Sequence, residues 1–170
     1  MFRDGAPPGA SLAPQAALPH AWTAFHIRRA VARDTGRAVS QADIETLRIG
    51  YEAVSRGDWD SPTRFAHPEF ELHTAARIVN PGTYRGTEEV RRFFEDLFEP
   101  FEEVVVEPEE FFERADQIVV FVLTRFRPTG SSAVIENRIG HLWTMREGKA
   151  SRLEVFPRRE EALEAAGLRE

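Results

Sequence analysis

The sequence predicts an α+β domain. The apolar positions before residue 100 recur mainly at helical spacing, whereas nearly everything from Phe101 to Phe156 is strand-like. Helices followed by a run of strands give α+β rather than an alternating, parallel arrangement. A length of 170 residues with 42% hydrophobic content gives one domain room for a real core.

Composition excludes several classes. With no cysteine, the chain has no disulfide, thiolate metal site or cysteine nucleophile. No apolar run is long enough to span a bilayer, and the N-terminus carries no signal-peptide core, so a cytoplasmic, non-membrane protein is expected. The net charge of −6 is uneven: from Gln41 onward 17 basic residues face 26 acidic ones, a balance of −9. Nucleic acid is not an expected partner, because phosphate contacts need clustered positive charge.

Residues 1–39 differ from the rest. Met1–Pro19 is rich in Ala, Pro and Gly without a period, and disorder is expected. Ala21–Arg33 has the pattern of a short basic amphipathic helix, with Trp22, Phe25 and Arg29 on one side. Two readings stand, a targeting or partner-binding arm and an over-extended start to a domain spanning 40–170.

The elements of that domain follow in order. Ser40-Gln-Ala-Asp43 is a capping box, Ile44, Leu47, Tyr51 and Val54 share a helical face, and Gly57 ends the first helix. Asp58–Ala66 is a second, short helix with Pro62 in its first turn and Trp59 and Phe65 as anchors. Phe70, Leu72 and Thr74 alternate with Glu71 and His73 in a short strand, and Asn80-Pro-Gly-Thr83 is a turn. Thr87 is the expected cap of a third helix, whose apolar positions are Val90, Phe93, Phe94, Leu97 and Phe98; Pro100 stops it. An antiparallel meander then runs through Val104–Arg114 (bulged at Pro108), Gln117–Arg127, Val134–Met145 and Ala150–Phe156, and a short helix, Arg159–Ala166, closes the chain. The acidic run Glu95–Glu113 reads as a solvated rim that discourages edge aggregation.

The stretch from Ile135 to Met145 carries the strongest functional signal. Ile135, Asn137, Ile139, His141, Trp143 and Met145 share one strand face, apolar except for Asn137 and His141. An imidazole in an apolar row suggests a lined cavity. The Arg146-Glu-Gly-Lys149 turn leaves two registers open. A two-residue turn sets His141 opposite Glu154, a ready acid–base pair. A three-residue turn with a left-handed Gly148 sets His141 opposite Leu153, turns Arg152, Glu154 and Phe156 to the other side, and matches apolar with apolar. The second is preferred.

The helix ending Arg56-Gly57-Asp58, the Tyr84-Arg85-Gly86 turn, the Trp143–Lys149 hairpin and the closing Arg159–Gly167 segment together resemble the SnoaL-like branch of the nuclear transport factor 2-like superfamily. The likeness covers about residues 41–168. It implies a cone: a curved antiparallel sheet wrapped around three N-terminal helices, with a short C-terminal helix and an enclosed pocket. It also implies a homodimer through the outer face of the sheet. The family includes polyketide cyclases, ketosteroid isomerase, dehydratases, epoxide hydrolases and non-catalytic binding domains. The isomerase's catalytic set does not carry over: its base Asp position falls on Thr74, its Tyr position on Gly50 and its protonated Asp position on His141. A Thr hydroxyl is no general base near neutral pH.

His141 is therefore the candidate acid/base. Tyr51, Thr74, Asn137 and Trp143 are the candidate substrate-binding residues. The expected ligand is a small apolar or carbonyl-containing molecule, handled without cofactor or metal. Glu71 and His73 have no third ligand at matching spacing. A non-catalytic ligand-binding or dimerisation module is the alternative.

Overall fold

A computed structural model describes residues 28–29, 38–78 and 80–168. The expectations for Met1–Pro19 and for most of residues 21–37 lie outside them. Arg28–Arg29, inside the stretch with a helical pattern, form a two-residue strand, β1, parallel to the edge of the sheet.

Helix α1 spans Gln41–Ser55 and begins as its sequence dictates: the Ser40 hydroxyl accepts from the Asp43 N–H, and the Asp43 carboxylate accepts from the Ser40 N–H. Helix α2 is shorter than expected, Ser61–Phe65. The Asp58 carboxylate takes the N–H groups of Asp60 and Ser61, so residues 58–60 form a capping turn rather than helix. The chain is extended from Ala66 onward, and β2 spans Ala66–Thr74. Part of the expected turn is strand as well: β3, Gly82–Arg85, pairs with β2. Helix α3 spans Gly86–Phe98. Thr87 is not its cap. Arg85 occupies that position, and the Glu89 carboxylate accepts from the Arg85 N–H at 2.8 Å. Strands β4 (Phe101–Arg114, with a register shift between Pro108 and Glu110), β5 (Gln117–Pro128), β6 (Ile135–Arg146) and β7 (Lys149–Phe156) follow, then helix α4, Arg159–Ala165.

The sheet order is β1-β4-β5-β6-β7-β2-β3. The sheet is mixed, not purely antiparallel. The last strand of the meander, β7, returns beside β2 and runs in the same direction. One face carries the main core, in which Phe70, Leu72, Phe111, Ile118, Val120, Val122 and Leu153 pack against Ile44, Leu47, Val90 and Phe93 from α1 and α3. On the opposite face α4 covers a smaller cluster with Ala162, Leu163 and Ala166 on Val119, Phe121 and Leu142. Gly140 permits this approach, because a Cβ there would stand 2.5 Å from the Ala162 Cβ and 3.2 Å from the Arg158 oxygen.

The β6–β7 hairpin follows neither expected register. Glu147 and Gly148 both have positive φ, 55° and 78°, and Arg146 pairs with Lys149 across a two-residue turn. Met145 then pairs with Ala150 and Thr144 with Arg152, leaving Ser151 as a bulge. The bulge rephases the strand, so Ala150 and Leu153 both face the core. His141 lies opposite Val155, not Leu153 and not Glu154. The side is the one the preferred register required, shifted by two residues, and the His141–Glu154 dyad does not form. Arg152 and Glu154 pair with each other, 3.3 Å apart, and Phe156 joins the outer cluster.

Candidate functional site

The inner face of the sheet and the helices form a partly open cavity of about 550 Å³. Its walls come from α1 (Thr46, Leu47, Gly50, Tyr51), α3 (Phe93, Phe94, Leu97) and the inward residues of β5, β6 and β7. Trp59 stacks on Phe98 and Phe94, with ring centroids 5.2 and 6.2 Å away, and fixes one side of the wall. No Asp or Glu is among the described residues that line it.

Three polar side chains meet in this apolar wall. The Tyr51 hydroxyl lies 2.7 Å from His141 Nδ1, and Trp143 Nε1–H donates to the same hydroxyl oxygen at 2.8 Å. Tyr51 and His141 are 5% and 7% exposed, so neither relies on bulk water, and Trp143 is half-buried beside them. Helix α1 supplies Tyr51 from its buried stripe, and the two-residue period of β6 points His141 and Trp143 to the same side.

Burial leaves the site neutral. It lowers the His141 pKa from 6.5 to about 3. It also raises the Tyr51 phenol well above its ordinary value, only partly offset by the Trp143 bond. These protonation states fix the hydrogens. An indole N–H can only donate, so Tyr51 oxygen accepts from Trp143. The phenolic proton then goes to His141 Nδ1, the acceptor in reach among the described residues. A neutral imidazole with Nδ1 accepting carries its own proton on Nε2. The network runs Trp143 N–H to Tyr51 O–H to His141, and ends on an Nε2–H with no partner among the described residues. Such a chain polarises in one direction and offers a strengthened donor at its end.

The other candidates part from this cluster. Thr74 is buried and faces inward, but its hydroxyl donates to the Asn80 oxygen and accepts from the Gly82 N–H, each at 2.9 Å. It closes the β2–β3 connection and has little left for a ligand. Asn137 lines the cavity at its exposed end, and no bond joins it to His141. On the outer face, His73 Nε2 lies 2.9 Å from Glu71, with Thr83 3.1 Å from its other nitrogen. Among the described residues no group of three His, Asp or Glu side chains is arranged to hold a metal. Nothing in the sequence pattern pairs Trp143 with Tyr51, since those residues stand 92 apart in the chain. The aromatic side wall was readable only as helix-packing residues.

The sequence matches the SnoaL-like domain over residues 47–153, well over half of its length. The chain belongs to the SnoaL-like family. Solved structures agree on the fold. TerC, co-crystallised with polyporic acid, is similar at 23% identity over 75% of this SnoaL-like chain and 99% of its own, with a TM-score of 0.62. A nuclear transport factor 2-like protein from Burkholderia pseudomallei is also 23% identical, over 74% of this chain and 97% of its own, with a TM-score of 0.62. A protein from Jannaschia assigned as a SnoaL-like polyketide cyclase is 18% identical over 74% and 90%, with a TM-score of 0.59. No curated protein sequence matches this chain. No described helix is long and apolar enough to cross a membrane.

Proposed function

We propose that this SnoaL-like chain takes a small, largely apolar carbonyl compound into its cavity and acts on it without a cofactor, as a cyclase, isomerase or dehydratase does, with His141 handling the proton at the carbonyl oxygen. The observation that carries the reading is the buried Trp143–Tyr51–His141 chain, whose imidazole lines an apolar cavity. A nitrogen held near pKa 3 is too weak a base to take a proton from carbon at neutral pH. The neutral imidazole instead serves as donor. Its Nε2–H meets the carbonyl oxygen, and that bond strengthens as negative charge grows there in an enolate or alkoxide. The proton stays on Nε2 and is shared with the substrate oxygen, so His141 and Tyr51 both remain neutral, as their burial requires.

This role suits substrates whose own acidity supplies the carbanion, such as 1,3-dicarbonyls. No carboxylate lines the cavity among the described residues, which favours a second reading, ligand binding without turnover. Deuterium exchange at the carbon between the two carbonyls of 2-acetyl-1-tetralone, a 1,3-dicarbonyl, in D₂O, separates the two. Catalysed exchange that is lost in His141→Ala supports the enzyme, and binding without exchange supports the module. If acetophenone and anthrone both fail to raise the melting temperature of the wild type, both readings fall.

A homodimer through the sheet belongs to the same proposal. Helix α4 covers the apolar outer patch, so two copies would meet on its charge-paired flanks, where Arg125 faces Glu136 and Arg146 faces Glu69. Raising salt from about 0.05 to about 0.5 M, which shortens the screening length, then dissociates the pair. A monomer already present at low salt in sedimentation velocity would overturn it.

A further inference from the structure

Gly50 sits in the interior of α1, where glycine costs stability relative to alanine. The fold does not require it there. Its φ is not left-handed, and a Cβ placed on it would meet no heavy atom within 4 Å. Among the described glycines it is the one with neither a positive φ nor a neighbour that a methyl would touch. Yet Gly50 lines the cavity, in the row Thr46, Gly50, Val54 beside Tyr51. The missing methyl therefore leaves bare helix backbone in the cavity wall, one residue from the hydroxyl that holds His141.

We infer that Gly50 is a specificity-determining residue, which keeps a slot open along α1 for a flat, multi-ring carbonyl ligand whose edge lies against the helix backbone. A cavity of about 550 Å³ is large for a single ring and suits a ligand that reaches both His141 and this wall. The inference rests on the carbonyl-ligand reading above and adds the size of the ligand.

The test uses the full chain, Gly50→Ala, and two ketones: acetophenone with one ring and anthrone with three fused rings. Without ligand, Gly50→Ala raises the melting temperature by about 2 °C, as relief of a mid-helix glycine should. It weakens anthrone binding by about tenfold or more while leaving acetophenone within about twofold of wild type, the scale of effect that one carbon has in a tight pocket. If Gly50→Ala binds anthrone as well as wild type does, the inference is overturned and the carbonyl-ligand reading stands. If Gly50→Ala lowers the melting temperature, Gly50 has a structural role and the inference is likewise overturned. If wild type binds neither ketone, the carbonyl-ligand reading itself fails and the slot falls with it.

Discussion

Tyr51 serves two partners with one oxygen. Replacing it by Phe leaves Trp143 Nε1–H and His141 Nδ1 facing each other across a gap in a buried site. Each unsatisfied group costs about 1–3 kcal/mol, so Tyr51→Phe lowers stability by about 2 kcal/mol or more in urea denaturation. A loss under about 0.5 kcal/mol would contradict the network. His141 gives a second prediction, from pH. The unfolded chain binds the imidazole proton near pH 6.5, whereas the folded chain binds it only near about 3. Between these values the unfolded state holds more protons, so stability falls as pH falls through the window and is retained in full above it. The slope from one such group is about 1.4 kcal/mol per pH unit. Between pH 6 and 5, His141→Gln therefore loses less stability than wild type by about that amount, and equal slopes in the two proteins would contradict the neutral, buried imidazole. Much of this was legible: an imidazole in an alternating apolar row marks a cavity wall. What it bonds was not, because Tyr51 lies 90 residues away and only the closed fold brings it to Nδ1.

The β6–β7 hairpin shows what elements add. Alternation along β6 fixes the side on which His141 lies, and it does face inward. The turn differs from the preferred three-residue form, because Gly148 alone suggests a left-handed residue at one position, whereas Glu147 adopts positive φ as well. The compensating bulge at Ser151 leaves no mark in the hydrophobic pattern until Ala150 and Leu153 are both seen to be buried. Helix boundaries failed for a related reason: Asp58 and Glu89 both offer carboxylates to backbone N–H groups, and such capping competes with the obvious hydroxyl. Helix α4 depends on Gly140 in the strand beneath it. Gly140→Ala forces a methyl against Ala162, costs about 1–3 kcal/mol, and speeds hydrogen exchange in α4 before the rest of the molecule. Adding Ala162→Gly recovers part of that loss. No recovery would mean that the strain lies elsewhere.

At the scale of the whole molecule, the sheet divides the work. Its inner face builds the core and the cavity, and its outer face is covered in the middle by α4. The acidic run along β4 is not simply solvated. Glu107 reaches Arg125 and Glu103 reaches Arg127, while Glu102 pairs with Arg127 and Glu109 with Arg159. Composition showed the acidic excess but could not show that β5 sets its arginines beside it. The α+β class was readable because helical and strand periods occupy separate parts of the chain, whereas the cone followed only from the resemblance to the SnoaL-like family. The parallel β2–β7 contact was not, because nothing in either strand announces its neighbour.

The central claim is a neutral His141 whose Nε2–H faces the cavity, and nitrogen NMR of the histidine rings tests it most directly. At pH 7 and again at pH 5 the account predicts Nδ1 bare and Nε2 protonated for His141, with the Nε2 resonance moving when anthrone is added. A ring that is cationic at pH 5, or protonated on Nδ1 and indifferent to the ketone, would contradict it.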